Sequence, residues 1–591
     1  MKKYSGKSKI ALFPRYSARD EWKSADGELA SAFLRYGETL RGKPEKWREL
    51  TPQLYREFAE NGNRSRYEDL YFERRFDLID LVICECLEGE GNYLDDIACA
   101  LTKICNELSW CLPAHNPSIN APDLGADSPA IDLFAADTAA TISCVLYLVG
   151  EELSKTHPIS AEAAERELSL RVKKPYLERD FDWTLKSGKM TPCNWSSWIS
   201  ANILLSFALT EDDESTLYKC VSSSSETVKK LYDYLPDDGE CDEGVGYWNV
   251  SPLAIYNFVE IMRAVTGANQ PLPEKLKRFA AYPHSMHISD GRYFNFGDCK
   301  LTPALDYPSA YRFALEAGNC AAAECYRTLI NRGAYFYCGN STEMTAYRAV
   351  SALFTRYDGG EGAAVKHENA YYEAGKLLTV HAGKYSAAVK GGVGGGHSHI
   401  DAGNYIVYKE NRPVAIDVGN ARYTRESFSA ARGSLWYVSP DYHNLPAVNG
   451  IEQHGHGGCE VLAHEVGHDG GLLVLDMTDA YEGARLGSYI RRVTATHGGV
   501  EVQDGMSFLS CGNNRADFRI MTAVRPVTDN GVIRIGNSSV HVKATESYEV
   551  DTDVIELNDD LLRSQWGSEI YRVKISVFTY KDSLEFAVTF I

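Results

Sequence analysis

Apolar residues recur at helical spacing from about residue 20 to about residue 340, and at every second position from about residue 375 onward. A chain with two periods must build two kinds of layer, helix on helix and then sheet on sheet. Its 591 residues are also too many for one ordinary hydrophobic core. Within DSPAIDLFAADTAATISCVLYLVGEELS, Ser128 and Pro129 give a helix start, and Ile142, Val145, Leu146 and Val149 form one apolar stripe. SWISANILLSFAL, SPLAIYNFVEIMRAV and YRFALEAGNCAAAECYRTLI repeat the pattern between short Pro, Gly, Asp and Ser breaks. Helix hairpins in series can stack as a bundle, a solenoid or a closed toroid, and no repeated motif selects among them.

The change of period passes through YDGGEGAA, which places a domain boundary between about residues 338 and 375. Beyond it, KLLTVHAG, YSAAVK, NYIVYKE, PVAIDVG, GLLVLDM, YIRRVTAT, GVIRIG, VHVKATE and YRVKISVFTY read as short strands between glycine-rich turns. Many strands and few helices imply a β-sandwich.

Composition removes several function classes. A net charge of −20 argues against nucleic acid, whose phosphates need clustered Lys and Arg. No run of eighteen or more apolar residues suggests a membrane span. Near the start only Ile10 to Phe13 is apolar, too short for a signal-peptide core. The 15 cysteines are odd in number, form no CxxC pair and sit mostly in apolar runs, so they read as reduced core thiols in a cytoplasmic protein.

The chemistry-bearing residues are densest in GGVGGGHSHIDAGNYIVYKENRPVAIDVGN and the following SPDYHNLPAVNG. His397 and His399 are two apart, so on a strand they would share a face, with Asp417 at the end of the next strand and His443 in a later turn. Two imidazoles and a carboxylate suit zinc or a similar divalent ion; the alternative is histidines that satisfy buried backbone groups. Asp401 is open to either a ligand role or orienting an imidazole. The glycine run Gly391 to Gly396 lacks a GK[ST] ending and precedes a strand, so it is no phosphate loop.

HSHIDAGNY, AIDVGNARYT and DYHNLPAVNGIEQ, in that order, resemble the heparinase II/III-like polysaccharide lyases. The resemblance runs from roughly residue 100 to residue 460 and implies a multidomain α+β chain, an (α/α) toroid over 1–345 followed by an antiparallel β-sandwich over 346–591. It implies one divalent metal, zinc with manganese as the other fit, held by His399, Asp417 and His443 in a structural role. His397 is implied in catalysis. TPCNWSSWISANILL resembles the block whose Asn neutralises the substrate carboxylate, which implies Asn194, and DGECDEGVGYW the block of the catalytic tyrosine, which implies Tyr247. Ser196 and Ser197 depart from the expected amide and proline, and Asn194 has a rival role as cap of the helix that follows. SWCLPAHN resembles a sugar-contacting edge, implying Trp110 and His115, while FNFGDC resembles a late toroid turn. Glu243 and Arg432 complete the expected substrate contacts; Asp242 and Glu243 would otherwise be solvated loop acids.

The implied reaction is β-elimination on a uronic-acid glycan of glycosaminoglycan or alginate type. Removing the C5 proton beside a carboxylate requires that charge to be quenched, by Asn194 with help from Arg432 or a histidine. Tyr247 would protonate the O4 leaving group, and Tyr247 or His397 would take the C5 proton. Both are expected in a cleft where the ring meets the sandwich. The chain's own negative charge opposes a polyanion, so an acidic oligosaccharide is easier to admit than a long polymer. Two alternatives stand beside this reading: a glycoside hydrolase recruiting Asp242, Glu243 and Asp298, and a non-catalytic uronate-binding protein. Self-association into a homo-oligomer is left open.

Overall fold

The computed structural model describes residues 10–121, 127–331, 346–357, 365–392, 396–455, 458–529 and 531–591. Residues 358–364 of YDGGEGAA and 393–395 of the glycine run lie outside the described residues. Contacts divide the chain into two units, the first comprising Met1–Leu235, Asn249–Lys277 and Ala304–Ala363. The second comprises Pro236–Trp248, Arg278–Pro303 and Ala364–Ile591. A single cut at 345/346 therefore does not describe the division. Two excursions from the helical half, one of them carrying Tyr247, pack with the strands.

The first unit is an (α/α) toroid. Among the described residues, six helices form its ring: α1 (Ser65–Glu88), α2 (Leu133–Thr156), α3 (Asn194–Thr210), α4 (Pro252–Thr266), α5 (Tyr307–Ala317) and α6 (Ala346–Leu353). Each contacts the next, and α6 returns to α1 and α2, which closes the circle. Antiparallel partners such as Gly27–Leu40 on α1, Glu214–Tyr234 on α3 and Cys320–Asn331 on α5 cover the outside. Helix α2 is long and apolar enough to cross a membrane, but 89% of its most apolar window is buried inside the protein. Its all-round burial explains why its stripe is broad, and Ser143 Oγ meets Ser206 Oγ of α3 at 2.7 Å where the two helices touch. The helix starts at Leu133 rather than at Ser128–Pro129: the Asp132 carboxylate caps Ala135 N–H at 2.7 Å and also holds Leu112 N–H and His115. A tertiary partner chose the cap.

The second unit is an antiparallel β-sandwich. One five-stranded sheet runs β1 (Ala370–Tyr372), β2 (Leu377–Ala382), β3 (Tyr385–Lys390), β4 (Asn404–Lys409), β5 (Arg412–Ala415) in sequence order. The later strands are β6 (Ala447–Val448), β7 (Glu460–Gly467), β8 (Gly470–Asp476), β9 (Leu486–Thr496), β10 (Gly499–Phe508) and β11 (Asn514–Thr522). They are followed by β12 (Val527–Asp529), β13 (Val532–Ile535), β14 (Ser538–Ala544), β15 (Tyr548–Glu556), β16 (Glu569–Thr579) and β17 (Ser583–Phe590). An eight-stranded sheet has the order β12-β13-β14-β17-β10-β9-β8-β7, and a four-stranded one β15-β16-β11-β6. Alternate residues of all three sheets enter one core, where Phe518 stacks on Phe586 at 3.6 Å between the four- and eight-stranded sheets. Buried Arg491 on β9 pairs with Asp504 at 2.7 Å and donates to Gly403 O and Asn444 O, both at 2.9 Å. It thus ties the large sheet to the loops that carry the site.

A histidine stack lies where Tyr282–Met286 and the short hairpin 287–293 pack on the five-stranded sheet. His287 Nδ1 and His367 Nε2 are 3.0 Å apart, His367 stacks on His381 at 4.2 Å, and His284 and His381 donate to Lys366 O and Ser285 O. Burial, then the neighbouring His284 charge, pushes His367 down to about 4. Burial and then His367 push His381 down to about 3. A histidine held neutral by folding lets the unfolded chain bind protons first, so stability falls as pH drops from about 6.5 toward about 4. For His367 this amounts to about 3 kcal/mol. The melting temperature is expected to decline over that window and to decline less in His367→Gln; an equally steep profile in the variant would remove the stack as the cause.

Candidate active site and metal centre

Asp298 is the hub of the site. It is buried and accepts from four side chains: His399 Nε2 at 3.1 Å and Arg432 Nη2 at 3.0 Å on Oδ1, and His397 Nδ1 at 3.0 Å and Tyr423 Oη at 3.1 Å on Oδ2. Burial alone would raise its pKa, but the hydrogen bonds from His397 and His399 and the charges of His399 and Arg432 hold it well below the carboxylate range. The turn before it fits only glycine. Gly297 has φ +63°, and a Cβ there would come within 2.8 Å of His397 O, the same carbonyl that accepts Asp298 N–H at 3.0 Å.

Tyr247 sits on the short helix Gly244–Trp248, whose indole N–H bonds Phe279 O. Its ring stacks on His397 with centroids 4.0 Å apart, and its hydroxyl meets Tyr423 Oη at 2.9 Å. Burial first, then the nearby Tyr247 and Asp298, push Tyr423 well above the ordinary phenol value. Tyr423 therefore keeps its proton and donates it to Asp298, a carboxylate that can only accept. The one hydroxyl then has only its lone pairs for Tyr247, so Tyr247 must be the donor. The direction of the chain fixes a protonated Tyr247. By the same logic His397 donates through Nδ1, which leaves Nε2 directed away from Asp298, 3.7 Å from Glu243 Oε1.

Behind this group lies the candidate metal triad. His399, Asp417 and His443 are buried and offer ligand atoms within 4.8 Å of one another. Asp417 Oδ2 accepts Asn404 Nδ2 at 2.8 Å and Oδ1 accepts Gly419 N–H at 2.8 Å. Asn444 bridges Tyr405 O and Ile416 O while its own carbonyl accepts Met521 N–H, so β4, the segment after β5 and β11 are fixed around the triad. His399 Nδ1 and His443 Nε2 are buried without a hydrogen-bond partner. Two orphaned imidazole nitrogens beside a carboxylate fit a divalent cation, since buried polar atoms are otherwise paired.

The sequence-derived residues fare differently. His397, His399, Tyr247, Glu243 and Arg432 converge within the second unit, although His397 and His399 lie in a loop before β4 rather than on a strand, and β5 stops at Ala415, short of Asp417. Arg432 points inward: its guanidinium bonds Asp298, Ser398 O and Ser427 O, so it braces the site rather than meeting a substrate. Asp401 pairs with Lys390 at 3.0 Å and is not in the triad. Asn194, Trp110 and His115 belong to the first unit. Asn194 is 5% exposed and opens α3 as its first residue behind Cys193, so it is not the cap. Trp110 is 2% exposed with its N–H on Ile104 O, a core residue and no sugar platform. His115 bonds Asp132 at 2.8 Å and packs beside Trp195. Sequence reading missed Tyr423 altogether, and weighed Asp298 only as a hydrolase acid. Tyr423 lies within the AIDVGNARYT block, which was the available signal.

No protein-family model and no curated protein matches the sequence. Solved structures share the fold at low identity. A heparinase III aligns with a TM-score of 0.61 and 12% identity over 88% of this chain and 76% of that one. A heparan sulfate lyase mutant from Pedobacter heparinus gives 0.56 and 11% over 97% and 89%. A chondroitin AC lyase from Streptomyces coelicolor A3, solved with chondroitin sulphate, gives 0.53 and 9% over 97% and 82%. The toroid-plus-sandwich fold is thus that of the heparinase-like polysaccharide lyases.

Proposed function

We propose that this protein is a polysaccharide lyase that cleaves a uronic-acid glycan, of glycosaminoglycan or alginate type, by β-elimination. One observation carries the reading: the hydrogen-bonded set Tyr247–Tyr423–Asp298–His397, in which a protonated phenol lies against an imidazole with an available nitrogen. His397 Nε2 takes the C5 proton, the electron pair forms the C4=C5 double bond, the C4–O4 bond breaks, and Tyr247 gives its proton to O4. This leaves an imidazolium and a phenolate. Tyr423 Oη, 3.4 Å from His397 Nδ1 and 2.9 Å from Tyr247 Oη, can take a proton from the first and pass its own to the second, and the ring resets by losing its Nε2 proton to water and regaining one from water at Nδ1. Asp298 orients the ring and stabilises its charge. With all four donors on it and its proton lost, Asp298 is unsuited to the acid role a hydrolase would assign it.

Zinc, with manganese as second choice, is the proposed ion for His399, Asp417 and His443. When bound it supplies a fixed positive charge that holds the loop bearing His397; the residues named above carry the proton transfers. The free thiols, most of them buried, support placement in a reducing, cytoplasmic compartment. The experiment is to incubate the protein with alginate, chondroitin and heparan sulfates and their oligomers while following ultraviolet absorbance. A rise from the conjugated alkene is expected with at least one; hydrolysis or no cleavage would contradict the proposal. Tyr423→Phe is expected to lower kcat about tenfold to a hundredfold. An unchanged kcat would remove Tyr423 from the proton path.

A further inference from the structure

Singly exposed apolar side chains occur on every protein surface and ordinarily need no explanation. Phe428 differs in its neighbours. It is 53% exposed, yet its ring lies edge-on to His397 with centroids 5.7 Å apart and 4.8 Å from the ring of Tyr423. The loop beneath it is firmly built: buried Ser427 accepts Thr424 N–H on its hydroxyl at 2.9 Å, returns its own N–H to Thr424 O at 3.2 Å, and its carbonyl accepts Arg432 Nη1 at 3.1 Å. A phenyl held in place beside the reacting groups and left open to solvent is preorganised to receive something flat and apolar. The C–H face of a pyranose is such a surface. The charge of the loop agrees with an acidic sugar, because, with Arg432 committed to Asp298, residues 422–434 still hold two arginines, Arg422 and Arg425, against one acid, Glu426, in a chain of net charge −20.

We infer that Phe428 is the stacking platform of a sugar subsite next to the bond that is cut, and that its loop selects a pyranose bearing an anionic group. This rests on the lyase reading of the neighbouring residues, since the platform sets the sugar that the His397 and Tyr247 pair acts upon. Burial against the ring helps ground state and transition state alike, so its loss acts on KM and not on kcat.

The test compares wild type, Phe428→Ala and Phe428→Trp on tetrasaccharides of alginate, chondroitin sulfate and heparan sulfate, with Kd measured by calorimetry and KM and kcat by product absorbance. Phe428→Ala is expected to raise Kd and KM about tenfold, with kcat within about twofold and the melting temperature unchanged, and Phe428→Trp to restore both. An unchanged Kd in Phe428→Ala, a fall in kcat accompanied by a lower melting temperature, or no tetrasaccharide binding by wild type would each overturn the platform. A wild type that binds a tetrasaccharide but leaves no unsaturated end overturns the lyase reading instead, and the Kd series still decides Phe428.

Discussion

Tyr247→Phe is expected to lower kcat/KM about a thousandfold while KM changes little, because it deletes the proton that the leaving oxygen must receive and little else. The ring remains to stack on His397, whose centroid lies 4.0 Å away. The lost bond to Tyr423 is one neutral hydrogen bond at a partly buried position, worth about 1 kcal/mol, so folding persists. His397→Ala should be as damaging for the other proton. Since the two act in one step, the double variant should be little worse than either single one. A Tyr247→Phe protein that retains a tenth or more of wild-type activity would remove the phenol from the chemistry.

Chelation is expected to lower the melting temperature by about 10 °C and to reduce activity in parallel. A ligand present at about a thousand times its Kd stabilises the folded state by about 4 kcal/mol, and each kcal/mol moves a unit of this size by about 2 to 4 °C. Withdrawal would leave His399 Nδ1 and His443 Nε2 buried with nothing to bond, the first of them two residues from His397. His443→Ala should melt near the chelated wild type and respond no further to chelator. A wild type with the same melting temperature in chelator as in added zinc or manganese would show that the triad is an internal hydrogen-bonded cluster.

Much of the fold was legible in the change of period, because both halves bury a face whose spacing the backbone dictates. What the spacing could not supply was closure of the ring, which depends on α6 meeting α1 across more than 250 residues of chain. The start of α2 was misplaced for a similar reason: Asp132 outcompetes Ser128 because Leu112 N–H and His115 also need its carboxylate. In the site, Tyr247, His397 and the triad were visible as motif positions. Asp298 was not, since a lone acid in FNFGDC carries no local sign that four donors from distant segments will meet it. Tyr423 is one of 36 tyrosines, and only its hydrogen bonds distinguish it. Trp110 failed in the opposite way: an indole looks alike in sequence whether it faces a sugar or, as here, Ile104 O in the core.

The account stands on bond breaking by proton removal, without water as a reactant, at the Tyr247 and His397 pair. Mass spectrometry of products formed in water enriched in heavy oxygen reads this directly. Elimination predicts fragments free of the heavy isotope, with the new non-reducing end one water lighter than a hydrolysed end. Heavy oxygen at the new reducing end, with no unsaturated partner, would mean that the glycan is hydrolysed and that the assigned roles are wrong.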